Sequence, residues 1–390
     1  MAIKPGMVYG KGTATSVGTV QLNPHAYDRK ALIDAAKEQY FGQLADTTSM
    51  PKNSGTRIKK YHYLPLLDDR NINDQGIDAA GAESVNGNLY GGSKDIGAIP
   101  AKMPALGETG GRVNRVGFKR KEIEGTFEKF GFFTEYSKDL LNFDSDAQLM
   151  SHISRELMTG AMQITEDALQ IDLLNAAGTI YYTGVATTSA TVNDKSELTY
   201  ADFMKVAIAL DNNRTPKHTK VITGTRNIDT KTLPAARIAY CGSELIPTLE
   251  AMKDLHGEKA FVPVQQYAAG TTVLKGERGT LGEFRIIIVP NMFKWAGVGA
   301  GTPDAAYYAT TAKYDVFPIL IVGDESFTTI GFQTDGKSNK FTTVTRNPGP
   351  ETADRNDPYG EMGFSSIKWW YGFMALRPER IALIKTAAKM

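Results

Sequence analysis

One long stretch in the first half of the chain carries apolar residues at every third or fourth position. The positions of this stripe are Ile153, Leu157, Ala161, Ile164, Ala168 and Ile171. Ser145-Asp-Ala-Gln148 has the spacing of a capping box, and Asn175 and Gly178 stop the pattern. We therefore predict an amphipathic helix over residues 145–177 that lies on a sheet. At 1.5 Å per residue this helix is about 45 Å long.

Two strand-like segments flank a long polar region before this helix. Thr56–Leu67 is rich in aromatic and β-branched residues, and Val116–Thr134 is a similar run that glycines interrupt. We predict that the two segments pair as a long hairpin. Residues 68–115 between them have Asn-Gly, Gly-Gly and proline breaks and no helical stripe. Because so polar a loop has little apolar surface of its own, we expect contacts with another copy of the chain to order it.

The N-terminal segment combines an extended part with a second predicted helix. Residues 1–23 are rich in Gly, Thr and Val and have little periodicity, which is typical of an extended arm. Pro24 begins a helix that we predict to run to about Ala45. One side of this helix carries Leu32, Ile33, Ala36, Tyr40, Phe41 and Leu44. That apolar side is expected to anchor the arm.

The region after Leu198 alternates between helical and strand-like patterns. Its first helix follows the capping sequence Leu-Thr-Tyr-Ala-Asp202 and has one apolar face, formed by Phe203, Val206, Ala207 and Leu210. Strand-like runs lie at residues 220–223, 235–240, 284–289 and 314–322, and a further helix lies around residues 243–253. This alternation predicts a mixed α/β unit. The polar segment Thr345–Pro358 is the predicted exit linker from that unit.

Composition excludes several classes of protein. A chain of 390 residues with 42% apolar content can bury a sizeable core in two or three domains. Its 44 lysines and arginines against 43 aspartates and glutamates leave a net charge of +1, which predicts no bulk attraction to nucleic acid or membranes. The single cysteine excludes an intrachain disulfide framework and fits a reducing compartment. No apolar run is long enough to span a bilayer, so no membrane partner is expected.

Candidate enzyme chemistry is weak. Cys241 with His256 is the sharpest idea, a thiol nucleophile with a histidine base, but a lone cysteine after an apolar run is more often a small buried residue. The five histidines have no metal-ligand spacing, and the CxxC and HExxH motifs are missing. Ala296–Gly301 is glycine-rich like a phosphate loop but lacks the Lys-Ser/Thr ending, which favours a turn. We expect no catalytic residue, no cofactor and no metal.

Two basic clusters lie on the predicted hairpin, one on each strand. Their members are Arg57, Lys59 and Lys60 on the outgoing strand and Lys119, Arg120 and Lys121 on the returning strand. In one interpretation they are a solvated edge that discourages unwanted strand pairing. In the other they are intersubunit contacts, which meet acidic surface on a neighbouring copy.

The order of segments towards the end of the chain is more specific than any of these motifs. The loop Gly279-Thr-Leu-Gly282 is followed by Asp357-Pro-Tyr-Gly360, an aromatic strand and the run Arg377-Pro-Glu-Arg-Ile-Ala-Leu-Ile-Lys385. Together with the hairpin and the long helix, this set resembles a tailed-phage major capsid protein, and it looks most like the coat proteins of short-tailed phages related to coliphage N4. The resemblance implies an α+β architecture, the Hong Kong 97-type capsid fold.

The resemblance also implies a division of the chain. The expected regions are an N-terminal arm at residues 1–54, an extended loop at 55–136, a peripheral domain at 142–197 and 340–390 with its spine helix at 145–177, and an axial domain at 198–339. The implied function is that of a coat protein, not an enzyme. Its copies would form the hexamers and pentamers of an icosahedral shell around double-stranded phage DNA.

Further partners follow from the same resemblance. We expect a separate scaffolding protein, because no scaffold-like leader precedes the arm, together with a portal and a decoration protein as further candidates. Contact with DNA would be non-specific, the mature location would be the virion capsid, and assembly would occur in the host bacterial cytoplasm. We expect no covalent crosslink, because nothing in the sequence supplies the desolvated site that a bond from Lys94 to Asn339, Asn347 or Asn356 requires.

Two alternative functions stay open at this point. One is an encapsulin-like nanocompartment shell on the same fold, which would enclose enzyme cargo in place of DNA. The other is a cytosolic hydrolase that uses Cys241 as its nucleophile. Particle formation separates the two shell functions from the hydrolase.

Overall fold

The computed structural model describes residues 40–44, 46–50, 55, 57–63, 108, 120–143, 149–222, 230–233, 236–267, 273–332, 341–351, 353 and 357–390. The α-helices of these ranges are α1 (Lys138–Phe143), α2 (Leu149–Ala176), α3 (Tyr200–Asn212) and α4 (Ile246–Ala251). Single 3-10 turns occur at Phe41–Gln43, Ser189–Thr191, Ser243–Leu245, Val264–Gln266 and Pro378–Arg380.

The strands are β1 (Asp46–Met50), β2 (Arg57–Tyr63), β3 (Arg120–Ser137), β4 (Thr179–Tyr182), β5 (Thr219–Ile222), β6 (Thr230–Leu233), β7 (Arg237–Cys241), β8 (Phe261–Pro263), β9 (Glu277–Leu281), β10 (Phe284–Ile288), β11 (Ala309–Thr310), β12 (Lys313–Tyr314), β13 (Phe317–Val322), β14 (Phe327–Phe332), β15 (Phe341–Arg346), β16 (Met362–Ala375) and β17 (Ile381–Thr386). The presence of both α-helices and β-strands confirms the α+β class.

Two large sheets organise these strands. Sheet I has six strands in the order β1-β14-β16-β3-β2, with β15 also paired to β16. Its longest pairing is antiparallel and joins β16 to β3 from Met362↔Ser137 to Phe373↔Thr126. Sheet II has seven strands in the order β4-β17-β13-β7-β10-β9-β8. The chain therefore leaves sheet I after β16 and inserts β17 between β4 and β13 of sheet II.

The central strands β7 and β13 of sheet II are buried on both faces, as their continuous apolar runs require. Every residue of β13 is buried, and alternate residues point to opposite sides. Leu320 and Val322 belong to the core cluster that includes α2, whereas Ile319 and Ile321 belong to the cluster that includes α3. The sheet is thus the middle layer between two sets of helices.

The long helix α2 is shared by both sheets. Its buried row is Leu157, Ala161, Thr165, Leu169 and Leu173, with a spacing of four residues. The Thr165 hydroxyl donates a hydrogen bond of 2.8 Å to the carbonyl oxygen of Ala161, so burial of this polar group is compensated. One core cluster joins the row to Ile367 and Trp369 of sheet I and to Tyr240 of sheet II.

The structure corrects two of the six positions predicted for the apolar face of this helix. Leu157 and Ala161 are buried as expected, but Ile164 and Ile171 are each 48% exposed. The reason is geometric, since each residue turns the helix by about 100°, and Ile164 lies that far around the axis from buried Thr165. The predicted start at Ser145 lies outside the described residues. The helix ends at Ala176, and Gly178 follows two residues later. A Cβ at Gly178 would come within 2.6 Å of the Pro378 carbonyl oxygen, so the close approach of these two segments requires glycine.

The predicted hairpin is confirmed with different bounds. Strands β2 and β3 pair antiparallel from Arg57↔Thr126 to Tyr63↔Arg120, and β3 continues past the expected end to Ser137. Most of the polar loop predicted at residues 68–115 lies outside the described ranges. Helix α1 follows β3 directly, and its Leu140 N–H donates to the Ser137 hydroxyl.

Two further predictions from local pattern had different outcomes. The capping sequence before α3 is correct, because Thr199 and Asp202 form a capping box and the predicted apolar face is buried. The helix predicted from Pro24 to Ala45 lies mostly outside the described residues. Where it is described, the prediction is wrong, because Phe41–Gln43 is a single 3-10 turn in place of an α-helix. Strand β1 begins just after the predicted end and is parallel to β14.

Truncation of the buried row of α2 should destabilise the protein far more than truncation of its exposed stripe. Leu169→Ala removes a buried side chain and should lower the free energy of unfolding by about 2–5 kcal/mol. The control Ile164→Ala removes a half-exposed side chain from the same helix and should cost less than about 1 kcal/mol. Urea denaturation of the unassembled chain measures both. Equal losses would contradict the orientation of the helix.

Candidate functional site

The hairpin of β2 and β3 is the surface that the sequence marked by its basic clusters. Antiparallel pairing places Arg57, Lys59 and Arg120 on one face of the ribbon, and Lys60 and Lys121 on the other. Lys119 lies outside the described residues. The structure therefore brings five of the six cations onto one hairpin but divides them between two faces.

The first face is largely neutralised within the chain. The Lys59 ammonium lies 2.6 Å from a carboxylate oxygen of Glu124 and 3.7 Å from one of Glu122. Arg57 lies 3.8 Å from Glu124. The hydrogen bond to Glu124 and the charge of Glu124 raise the pKa of Lys59. In turn, the hydrogen bond from Lys59 and its positive charge lower the pKa of Glu124. Because all these groups are exposed, they contribute little to stability.

Arg120 completes this face. Its guanidinium carbon lies 4.1 Å from the centroid of the Tyr61 ring, a cation–π arrangement, and its Nη2 lies 3.5 Å from Glu122. Sequence reasoning missed the part that Glu122 and Glu124 play. The available signal was the spacing of Arg120, Glu122 and Glu124 along β3, because a period of two places these three residues on one face.

The second face keeps its positive charge. Its residues on the described part of the hairpin are Ile58, Lys60, His62, Lys121, Ile123 and Gly125, with no carboxylate among them. The Lys60 ammonium donates a hydrogen bond of 3.2 Å to the Thr48 hydroxyl on β1. In the described part of the chain Lys121 forms no ion pair. This face has two cations with which to meet an acidic partner.

Cys241 lies in the centre of sheet II. It pairs with Ile319 of β13 and Ile288 of β10, and it is buried. Burial, assisted by the charge of Glu244, raises the pKa of the Cys241 thiol to about 12. His256 lies in an exposed turn, where its backbone N–H donates to Asp254. Because thiol chemistry requires the thiolate, this environment suppresses the nucleophile that the hydrolase hypothesis needs.

The glycine-rich segment at residues 296–301 is a turn, as predicted. Its backbone N–H groups donate within the chain, from Gly297 to the Asp315 carboxylate at 2.8 Å and from Gly299 to the Tyr314 carbonyl at 2.8 Å. Among the described residues, no group of three or more His, Cys, Asp or Glu side chains is placed to hold a metal ion. In the same part of the chain, no helix has the length and apolar content for crossing a membrane.

Comparison with known proteins gives one consistent result. Residues 120–386 match the family described as phage capsid protein. The chain is 57% identical over 381 residues to the major capsid protein of Pseudomonas phage KPP21, which covers 97% of this chain and 96% of that protein.

Solved structures agree with this family at the level of the fold. The capsid of Ralstonia phage GP4 aligns with a TM-score of 0.60 at 11% identity, covering 97% of this chain and 99% of that one. The capsid of Cyanophage P-SCSP1u aligns with a TM-score of 0.53 at 14% identity, covering 98% of each chain. At such low identities the likeness shows a shared fold alone.

The environment of Cys241 predicts a thiol that does not react in the folded protein. Iodoacetamide at pH 8 should leave the folded chain unmodified, because the thiol is buried and its pKa is raised to about 12. Urea should make it react fully, and mass spectrometry measures both. The control Val185→Cys introduces a thiol at a 75% exposed position and should react when folded. Equally fast modification of folded wild-type protein would contradict the described burial.

Proposed function

We propose that copies of this chain assemble into the hexamers and pentamers of an icosahedral shell around double-stranded DNA. The chain belongs to the phage capsid protein family and is a major capsid protein with the Hong Kong 97-type fold. The observation that carries this proposal is the 57% identity to a major capsid protein over 97% of the chain. A structural protein of this kind needs no catalytic residue, which agrees with the suppressed reactivity of Cys241.

The finer lineage is also a proposal. The Gly279–Gly282 loop and the Asp357–Gly360 turn support a relation to coat proteins of short-tailed phages related to coliphage N4. We assign residues 1–54 to the N-terminal arm, 55–136 to the extended loop, 142–197 and 340–390 to the peripheral domain, and 198–339 to the axial domain. The hairpin of β2 and β3 and the long helix α2 support this assignment.

Partners beyond further copies of the chain belong to the same proposal. We assign it a separate scaffolding protein, a portal, a decoration protein and non-specific contact with packaged DNA, with assembly in the host bacterial cytoplasm. The net charge of +1 supports DNA contact through local cations only, without base readout. The shell is held by noncovalent contacts, each modest and many times repeated.

The second face of the hairpin is proposed as an intersubunit contact. Lys60 and Lys121 would meet acidic surface on a neighbouring copy, and the polar loop at residues 68–115 would be ordered by the same neighbour. Arg57, Lys59 and Arg120 on the first face are already paired to Glu122 and Glu124, so they have less charge to offer a neighbour.

Particle formation is the direct test of the proposed function. Wild-type chain expressed with its phage's scaffolding protein should give closed particles or capsomers in negative-stain micrographs. Their protein, boiled in detergent, should run as one band near 42.5 kDa, because no covalent bond joins the subunits. Particles filled with enzyme cargo in place of DNA would favour the encapsulin-like alternative. Recovery of compact monomers alone under several conditions would count against a shell protein.

Charge reversal on the second hairpin face should impair assembly and leave the subunit folded. Lys60→Glu with Lys121→Glu would place like charges against an acidic neighbour, which costs several kcal/mol, so particle yield should fall by about tenfold or more. The control Lys253→Glu with Lys259→Glu makes the same charge change at exposed positions after α4. Sedimentation measures yield, and thermal melting verifies the fold. Wild-type yield from the hairpin variant would remove this face from the interface.

A further inference from the structure

The segment Tyr40–Phe41 is held between α2 and sheet II. Both side chains are buried, and Phe41 is only 1% exposed. The Phe41 ring lies 4.5 Å from the ring of Tyr240 on β7, measured between centroids. Gly276, at φ +74°, makes room for Tyr40, because a Cβ there would come within 2.4 Å of the Tyr40 ring. The segment is thus fixed by its side chains in one place.

The backbone of this segment is fixed as well, by a side chain far away in sequence. One carboxylate oxygen of Glu166, in the middle of α2, accepts hydrogen bonds from the N–H groups of Tyr40 at 2.6 Å and Phe41 at 2.5 Å. On the other side, the Tyr240 hydroxyl donates to the Tyr40 carbonyl oxygen at 3.1 Å. Hydrogen bonds to an ionised carboxylate are short and strong, and two of them define a direction as well as a position.

Glu166 is an unusual residue for its place in the helix. The same helix contributes Leu169 and Leu173 to the core, and a carboxylate beside such residues is costly unless it is hydrogen-bonded. A leucine at this position would extend the apolar surface against Phe41. The carboxylate instead accepts from the N–H groups of Tyr40 and Phe41, at the start of a single 3-10 turn.

We call the three hydrogen bonds that join Tyr40 and Phe41 to Glu166 and Tyr240 the clamp. The chain on its C-terminal side is also fixed, by strand pairing. After Phe41 it enters sheet I as β1, which pairs parallel with β14 from Asp46↔Thr328 to Met50↔Phe332. Tyr40, to which residues 1–39 are joined in sequence, is therefore fixed by backbone hydrogen bonds to α2 and to sheet II.

We propose that Glu166 is a positioning residue for assembly, which fixes the backbone of Tyr40 and Phe41, where residues 1–39 join the body of every subunit. The inference rests on the proposed function, because it concerns how identical copies present this segment to their neighbours. A shell of hexamers and pentamers uses the same contact surface of every copy in closely similar orientations. A carboxylate that binds two backbone groups supplies that uniformity before any neighbour is present.

The test compares three variants in the full-length chain. Glu166→Leu removes the acceptor, Glu166→Gln keeps an oxygen acceptor without the charge, and Glu156→Leu changes an exposed glutamate of the same helix as a control. Hydrogen–deuterium exchange of a peptide that covers Tyr40 and Phe41 reports the clamp. Exchange in β7 and β16, together with thermal melting, reports the body. Particle yield and diameter from electron micrographs report assembly.

We expect Glu166→Leu to accelerate exchange at Tyr40 and Phe41 by about tenfold or more, while β7 and β16 stay protected. Its particles should be fewer and irregular in diameter. Glu166→Gln should recover most of both properties, and Glu156→Leu should match the wild type. Tyr240→Phe, which removes only the hydroxyl at the other end of the clamp, should shift both readouts in the same direction but less, and it serves if Glu166→Leu does not fold.

Two results would overturn the inference. One is an open clamp with particles of wild-type yield and diameter, which would make Glu166 a purely structural residue. The other is wild-type exchange at Tyr40 and Phe41 in Glu166→Leu. Failure of the wild-type chain itself to form particles would refute the proposed function, which separates that outcome from both.

Discussion

Burial of α2 on two flanks at once is the constraint on which the body depends. The row from Leu157 to Leu173 packs in one cluster with residues of both sheets, so neither sheet has a complete core without the helix. A polar bond fixes the register of this packing, because the Tyr371 hydroxyl of β16 donates to the Asp172 carboxylate at 2.7 Å. Burial raises the pKa of Asp172, and that hydrogen bond opposes the rise. The helix can neither rotate nor slide without loss of this bond.

Local pattern predicted the parts of the fold that neighbours in sequence determine. The hairpin, the long helix and the capped start of α3 at Thr199 depend on periodicity and on a side-chain bond across three residues. The exposure of Ile164 and Ile171 could not be predicted in this way, because an apolar stripe indicates a helix face and not how much of that face its own chain covers. The sequence could not predict that β17 belongs to sheet II, because its pairing partners β13 and β4 lie far from it in sequence.

The charged residues show the same limit more clearly. Arg237 belongs to a strand that reads as apolar, yet its side chain is fully buried and bonds to Asp211 at 2.6 Å, to the Thr215 carbonyl at 2.8 Å and to Glu283. Burial tends to raise the pKa of Asp211, but hydrogen bonds from Arg237 and Lys217 hold it below its usual range. These partners are 22 to 46 residues from Arg237. Only the fold assembles such a network, so composition and spacing gave no sign of it.

The position of β17 has a consequence for the time at which the protein matures. This strand is inserted between β4 and β13, and it pairs with strands that are synthesised up to about 200 residues earlier. Until residues 381–386 leave the ribosome, sheet II has a gap beside β13 and one face of α2 has no complete cover. A nascent chain cannot therefore present a finished surface to its neighbours. Completion of sheet II therefore depends on the last strand of that sheet to be synthesised.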